Sequence, residues 1–151
     1  DRSLWPPKTV ERLAPILAED LPAALRRLAA ERRSRDGLQV TLDVVGDRKL
    51  PEPVSAGLYL IAQEALTNIT KHAGANEATV RLRLVEGAAA LEVEDRGRGF
   101  PIQAGAGERG HLGLAGMAER ARELGWHLTI ESQPGHGTRI RVAEDAAGGA
   151  V

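Results

Sequence analysis

The stretch from Tyr59 to Ala73, YLIAQEALTNITKHA, constrains the fold more than any other part of this chain. At the 3.6-residue period of a helix, Ile61, Glu64, Asn68 and Lys71 fall on one stripe, and Leu58, Ala62, Ala65 and Ile69 fall on the stripe about 100° away. An acid, an amide and a cation therefore edge an apolar seam instead of facing water on the opposite side. Glu64 and Asn68 stand one turn apart, where both can serve one divalent cation or its water shell, since hard cations take oxygen ligands. The competing reading is a polar flank on which Asn68 bonds a loop, while Lys71 and His72 complement the dipole of the last turn.

The segment before it reads as a lead-in. Trp5-Pro6-Pro7 is a rigid extended mark, followed by Val10, Leu13 and Leu17 at helical spacing with Pro15 interrupting them. Asp20 and Pro22 start a helix with the stripe Leu21, Leu25, Leu28, which ends at Arg35-Asp36-Gly37. Arg32, Arg33 and Arg35 are expected to form its solvated last turn. Residues 38 to 45 alternate as a half-buried strand does, and a turn from Gly46 to Pro53 delivers the chain into the main helix.

After Gly74, the runs Thr79–Val85 and Ala89–Glu94 alternate and are joined by three residues, which predicts a hairpin. Ala89, Leu91, Val93 and Asp95 share one parity, and Glu92 and Glu94 the other. Asp95 is thus a carboxylate aimed inward at the end of a strand, and a buried acid needs hydrogen-bond donors. Either it caps its own turn or it binds a ligand. Gly97 and Gly99, which follow, permit close approach to the backbone. Residues 101 to 112 form a glycine-rich loop, and Leu114 to Leu124 a helix stopped by Gly125. Gly110-His111-Leu112-Gly113 precedes that helix, so free N–H groups and the positive dipole end converge where phosphate oxygens could sit. Trp126–Ser132 and Thr138–Val142 are the last strands, with Gly135-His136-Gly137 as a tight turn. Thr138 faces inward and Arg139 and Arg141 outward. A tail rich in Ala and Gly is expected from Glu144.

Other chemistries find little support. Net charge is −1, without the basic footprint of a nucleic-acid or membrane-surface binder. The chain has no cysteine, which excludes disulfides and thiolate metal sites. It holds no run of about 18 apolar residues and no leader pattern. It opens at Asp1 instead of Met, so it is expected to be a piece of a longer protein. The motif GxGxxG at residues 105 to 110 stands too far from its strand for a dinucleotide fold. Neither a P-loop nor GxSxG occurs, and His72, His111, His127 and His136 lack metal-ligand spacing; His127, in a strand, is expected to be structural.

Taken in order, QEALTNITKHA, DRGRGF, GHLGLAGM and GHGT resemble the N box and the three glycine boxes of the GHKL superfamily's ATP-binding fold. The likeness is closest to the catalytic domain of sensor histidine kinases of the NarL/DesK-like group. It covers roughly residues 50 to 143, and LWPP with its following helix resembles the connector from the dimerisation helices. The fold implied is a two-layer α/β sandwich, with a mixed, mainly antiparallel sheet packed on helices and a glycine-rich ATP lid. Residues 1–36 would be connector and lead-in, 37–143 the ATP-binding domain, and 144–151 a disordered tail.

The resemblance implies ATP and Mg²⁺ as cofactors. Asn68 would ligate Mg²⁺, and Glu64 would hold the ion's water or act as a polarising base. Lys71 and His72 would approach the phosphates, Asp95 would accept from the adenine amino group, and Thr138 would assist through a water. Gly97 and Gly99 would lie against the purine, residues 101 to 112 would form the lid, and Gly110, His111, Gly113 and Leu114 its phosphate-binding hinge. The expected partners are the protein's own dimerisation and phosphoacceptor domain and a response regulator, with no nucleic acid and no direct membrane contact. No histidine here stands in the phosphoacceptor setting, so the chain should be a cytoplasmic, monomeric module of a dimeric kinase that does not autophosphorylate alone. The alternatives are an anti-sigma-type serine kinase, a non-catalytic nucleotide-sensing or protein-interaction module, and, more distantly, a dinucleotide-binding oxidoreductase.

Overall fold

A computed structural model describes residues 20–73, 75–97, 114–133 and 135–144. Helix α1 (Leu21–Asp36) leads into strand β1 (Gln39–Gly46), and helix α2 (Glu52–Asn68) continues through a π-helical turn (Ile69–Ala73). Strands β2 (Glu77–Leu84) and β3 (Ala90–Asp95), helix α3 (Leu114–Leu124), and strands β4 (His127–Gln133) and β5 (Gly137–Ala143) follow. The strands make one five-stranded sheet in the order β1-β2-β3-β5-β4. β1 and β2 are parallel across the α2 crossover, and the other ladders are antiparallel, so the sheet is mixed and mainly antiparallel as expected.

Local chemistry accounts for the element ends. The Asp20 carboxylate accepts from the Ala23 N–H at 3.0 Å, Pro22 occupies the first turn of α1, and Gly37 closes it with φ +73°. The alternation in β2 and β3 buries Val80, Leu82, Leu84, Leu91 and Val93 on one face. The other face carries Arg81, bonded to Glu92 at 2.8 Å and Glu94 at 2.9 Å, with Arg139 beside the same two acids. Like-signed residues thus alternate with their counter-charges across neighbouring strands, a weakly stabilising arrangement on an open face. The outward Arg139 is therefore exposed but paired.

α2 is buried on every side from Ala56 to Ala62, because it lies between the sheet, α1 and α3. Leu58, Leu60, Ile61 and Leu66 are fully buried, and each contributes about 2 kcal/mol by leaving water. Gly57 lets α3 approach: a Cβ there would stand 2.9 Å from the Leu124 side chain. Leu21, Ala24, Leu25 and Leu28 of α1 join the same core, so this helix packs as part of the domain it leads into.

Two expectations change. Arg33 and Arg35 are solvated, but Arg32 is only 5 % exposed, turned into the α1–α2 contact where it finds hydrogen-bond acceptors. Glu144, assigned to the tail, is held in place. Its Oε1 accepts from the Ala89 N–H at 2.9 Å and from Arg48 Nη1 at 2.6 Å, and its own N–H donates to the Ala89 carbonyl at 3.0 Å. The segment 1–19, with Trp5-Pro6-Pro7 and the interrupted helix, and the tail beyond Glu144 lie outside the described residues.

Candidate functional site

The strand register assembles a polar row on the covered face of the sheet. Asp95 at the end of β3 pairs with Thr138 of β5, and Thr138 pairs in turn with Ser132 of β4. Asp95 is 3 % exposed and Thr138 8 %. The Ser132 and Thr138 hydroxyls are 2.9 Å apart, and Ser132 Oγ also lies 3.3 Å from the Gly137 carbonyl. Ser132 was not singled out by the sequence, although its parity with Leu128 and Ile130 was the available signal.

The two oxygens of Asp95 have different fates. Oδ1 accepts from the Gly97 N–H at 2.6 Å, so the side chain does cap its own turn. Oδ2 is buried and has no hydrogen-bond partner among the described residues. Burial pushes the Asp95 carboxyl above the usual carboxylate range, with the Glu94 charge adding to the rise and the Gly97 N–H working against it. A lone buried acceptor of this kind is costly until a donor reaches it.

Asp95 and Thr138 open into a small pocket shared with Ala65, Asn68 and Ile69 from the end of α2, Val93 of β3 and Ile140 of β5. Its walls are apolar, and Asn68, Asp95 and Thr138 supply the polar groups, with Asn68 7 % exposed. A second, more open groove at the same strand ends is lined by Asp95, Thr138, Ser132, His136 and Gly137 together with Glu94, Glu131 and Arg139. Gly137 is required where the turn crosses the end of β3: at φ +83°, a Cβ would stand 2.2 Å from the Asp95 carbonyl oxygen.

The end of α2 departs from a regular helix. Thr67 Oγ1 donates to the Gln63 carbonyl at 3.0 Å and Thr70 Oγ1 to that of Leu66 at 3.1 Å, and the π-helical turn begins at Ile69. Threonines bonded back to the preceding turn bend helices, and π turns insert at such places. Residues beyond Asn68 therefore leave the predicted stripe. Lys71 is exposed, Glu64 is half-buried, and neither lines the pocket that holds Asn68.

The remaining candidates divide. Leu114 opens α3 with its side chain in the core, so any ligand contact it makes falls to its backbone. Gly99, Gly110, His111 and Gly113, the glycine-rich loop at 101 to 112, and the side chain of His72 lie outside the described residues. His127 lies in β4 with its side chain exposed. Among the described residues no three His, Cys, Asp or Glu gather as a metal cluster. Asn68 brings an amide oxygen, a donor that hard cations take, to the lining of the pocket, and Glu64 stands one turn earlier outside it.

Residues 54–146 match the family of histidine kinase-, DNA gyrase B- and HSP90-like ATPases. Among curated proteins, the sensor histidine kinase MctS of Rhizobium johnstonii is 36 % identical over 80 % of this chain and 27 % of its own length. The sensor histidine kinase YhcY of Bacillus subtilis is 35 % identical over 86 % of this chain and 36 % of its own. The chain thus spans about a third of the length of these relatives. Among solved structures, the blue-light activated histidine kinase of Erythrobacter litoralis superposes with a TM-score of 0.68 at 28 % identity, covering 90 % of this chain and 46 % of that one.

Proposed function

The chain belongs to the histidine kinase-, DNA gyrase B- and HSP90-like ATPases, and from that membership we propose that it is the ATP-binding catalytic domain of a two-component sensor histidine kinase. The observation that carries the proposal is the buried Oδ2 of Asp95, without a partner among the described residues, in an apolar pocket beside Thr138 and Asn68. The exocyclic amino group of adenine supplies the donor this oxygen lacks, and Thr138 assists through a water. Guanine would set a carbonyl oxygen against the carboxylate, so the pocket discriminates by leaving like groups opposed.

Magnesium, when bound, neutralises phosphate charge. The Asn68 amide oxygen would hold it, and Glu64, one turn earlier, would hold its water or polarise the incoming nucleophile. Lys71 and His72 would approach the phosphates. Gly97 and Gly99 would lie against the purine, while Gly110, His111, Gly113 and the backbone of Leu114 would form the phosphate-binding end of the lid. Such a site works chiefly by positioning. The phosphoryl acceptor is a histidine on a separate helical domain, and the phosphoryl group passes on to an aspartate of a response regulator. Those two domains are the partners, within a dimeric kinase that acts in the cytoplasm.

Thermal unfolding with ATP or GTP tests this reading. ATP at about 100 times its Kd stabilises the chain by roughly 2.7 kcal/mol, and GTP at the same concentration gives at most a small part of that shift. Equal shifts with both nucleotides, or none with ATP at millimolar concentration, would overturn it.

A further inference from the structure

Arg32 is a buried cation with a role that the nucleotide pocket does not explain. Its Nη2 donates to Thr67 Oγ1 at 2.8 Å and to the Gln63 carbonyl at 3.3 Å, and its Nη1 to Asp36 Oδ2 at 3.3 Å. Its Nε is buried with no hydrogen-bond partner among the described residues. The rest of α1 that faces the core is aliphatic: Leu21, Ala24, Leu25 and Leu28. A buried guanidinium with one carboxylate partner and an unmet N–H costs stability that an aliphatic residue would not, and the best-attested use of such groups is to fix register between elements.

What Arg32 registers is the turn of α2 that immediately precedes Asn68. The Gln63 carbonyl accepts both the Thr67 hydroxyl and the Arg32 guanidinium. One residue after Thr67 comes Asn68, and one residue later the helix widens into its π turn. A carbonyl drawn toward side-chain donors tilts away from the helix axis, which loosens the regular ladder beyond it. We infer that Arg32 is a positioning residue for Asn68: by holding Gln63 and Thr67, it fixes where α2 changes pitch and so aims the Asn68 amide into the pocket. The inference rests on the pocket being the Mg-nucleotide site, and α1 thereby becomes a support of that site.

Two measurements test it on the chain as it stands. In the nucleotide-free chain, the side-chain amide resonance of Asn68 and the hydrogen exchange of amides 67 to 71 are compared between wild type, Arg32→Met and Thr67→Val. Calorimetry then gives the Kd for ATP with and without Mg²⁺, and for ADP without it. In both variants the Asn68 resonance should shift and exchange at 67 to 71 accelerate about tenfold, as expected for a locally loosened segment. The Mg²⁺-dependent gain in ATP affinity should fall at least about fivefold, while Mg²⁺-free ADP stays within about twofold of wild type.

Arg32→Lys, which keeps the charge without the planar fork, should lie between wild type and Arg32→Met. If Arg32→Met does not fold, Thr67→Val decides alone, because it leaves the cation and Asp36 in place. Folded variants with an unmoved Asn68 resonance and an intact Mg²⁺ effect would overturn the inference. So would an equal loss of ADP and Mg-ATP affinity, the mark of a mere clamp. A wild type that binds no nucleotide would defeat the site reading instead, and the Asn68 resonance would still decide the role of Arg32.

Discussion

Asp95 and Thr138 face each other across the β3–β5 ladder on the covered side of the sheet, and one carboxylate oxygen of Asp95 has no hydrogen-bond partner among the described residues. A strand-end acid could have turned outward, like Glu94 beside it, to meet Arg81 and Arg139. Its inward parity is what gives an ordinary turn cap a second, buried oxygen beside Thr138.

That arrangement makes the chain less stable than it could be. Because burial raises the folded-state pKa of Asp95, the folded form holds its proton longer than the unfolded form. Stability contributed by this group is therefore lost as pH rises from the ordinary Asp range through the raised folded value. Asp95→Asn should remove that decline and stabilise the nucleotide-free chain by about 1 kcal/mol at pH 7, by denaturant titration, since no charge is then left unmet. The same change sets one amino group against another and should weaken ATP binding at least tenfold, about 1.4 kcal/mol.

Gly137 and Gly135 separate close contact from backbone strain. Both have positive φ, but only at Gly137 would a Cβ strike backbone, that of Asp95 and Arg96. Gly135→Ala should cost about 1 kcal/mol, whereas Gly137→Ala should cost upward of about 3 kcal/mol and displace Asp95. Chemical denaturation ranks the two.

Ser132→Ala should leave stability within about 1 kcal/mol of wild type. It should nevertheless weaken ATP binding several-fold, because the Thr138 hydroxyl loses the neighbour that orients it at 2.9 Å. Competition binding with ATP reads this directly.

Glu144 makes the end of β5 acid-sensitive. The bond from Arg48, reinforced by the Ala89 N–H, holds its carboxyl below the usual Glu range. Its contribution is present above that range and disappears as pH falls through the lowered folded value. Glu144→Gln should lower Tm at neutral pH and match wild type once the acid is protonated. Truncation after Ala143 should destabilise more than Glu144→Gln, since it also removes the backbone bond to Ala89.

Much of this site was legible in the sequence because side-chain parity in strands is strict. The inward Asp95 and Thr138 and the outward Glu92, Glu94 and Arg139 followed from a period of two. The cap at Asp20 and the stop at Gly37 followed from local backbone chemistry. What escaped depended on tertiary partners. Arg32 read as a solvated residue because nothing local to α1 announces an acceptor on α2. The π turn escaped because a 3.6-residue period was extended through Ile69, and with it went the predicted alignment of Lys71 with Asn68. Ser132 escaped because its importance comes from register with Thr138, which alternation alone does not set.

The central claim is that the pocket joining Asn68, Asp95 and Thr138 binds Mg-ATP, and calorimetric titration with ATP and ADP, with and without Mg²⁺, tests it most directly. The account predicts one adenine-nucleotide site per chain, weakened in Asp95→Asn and no longer responsive to Mg²⁺ in Asn68→Ala. A folded wild type that shows no binding at millimolar nucleotide, or binding that both variants leave unchanged, would contradict it.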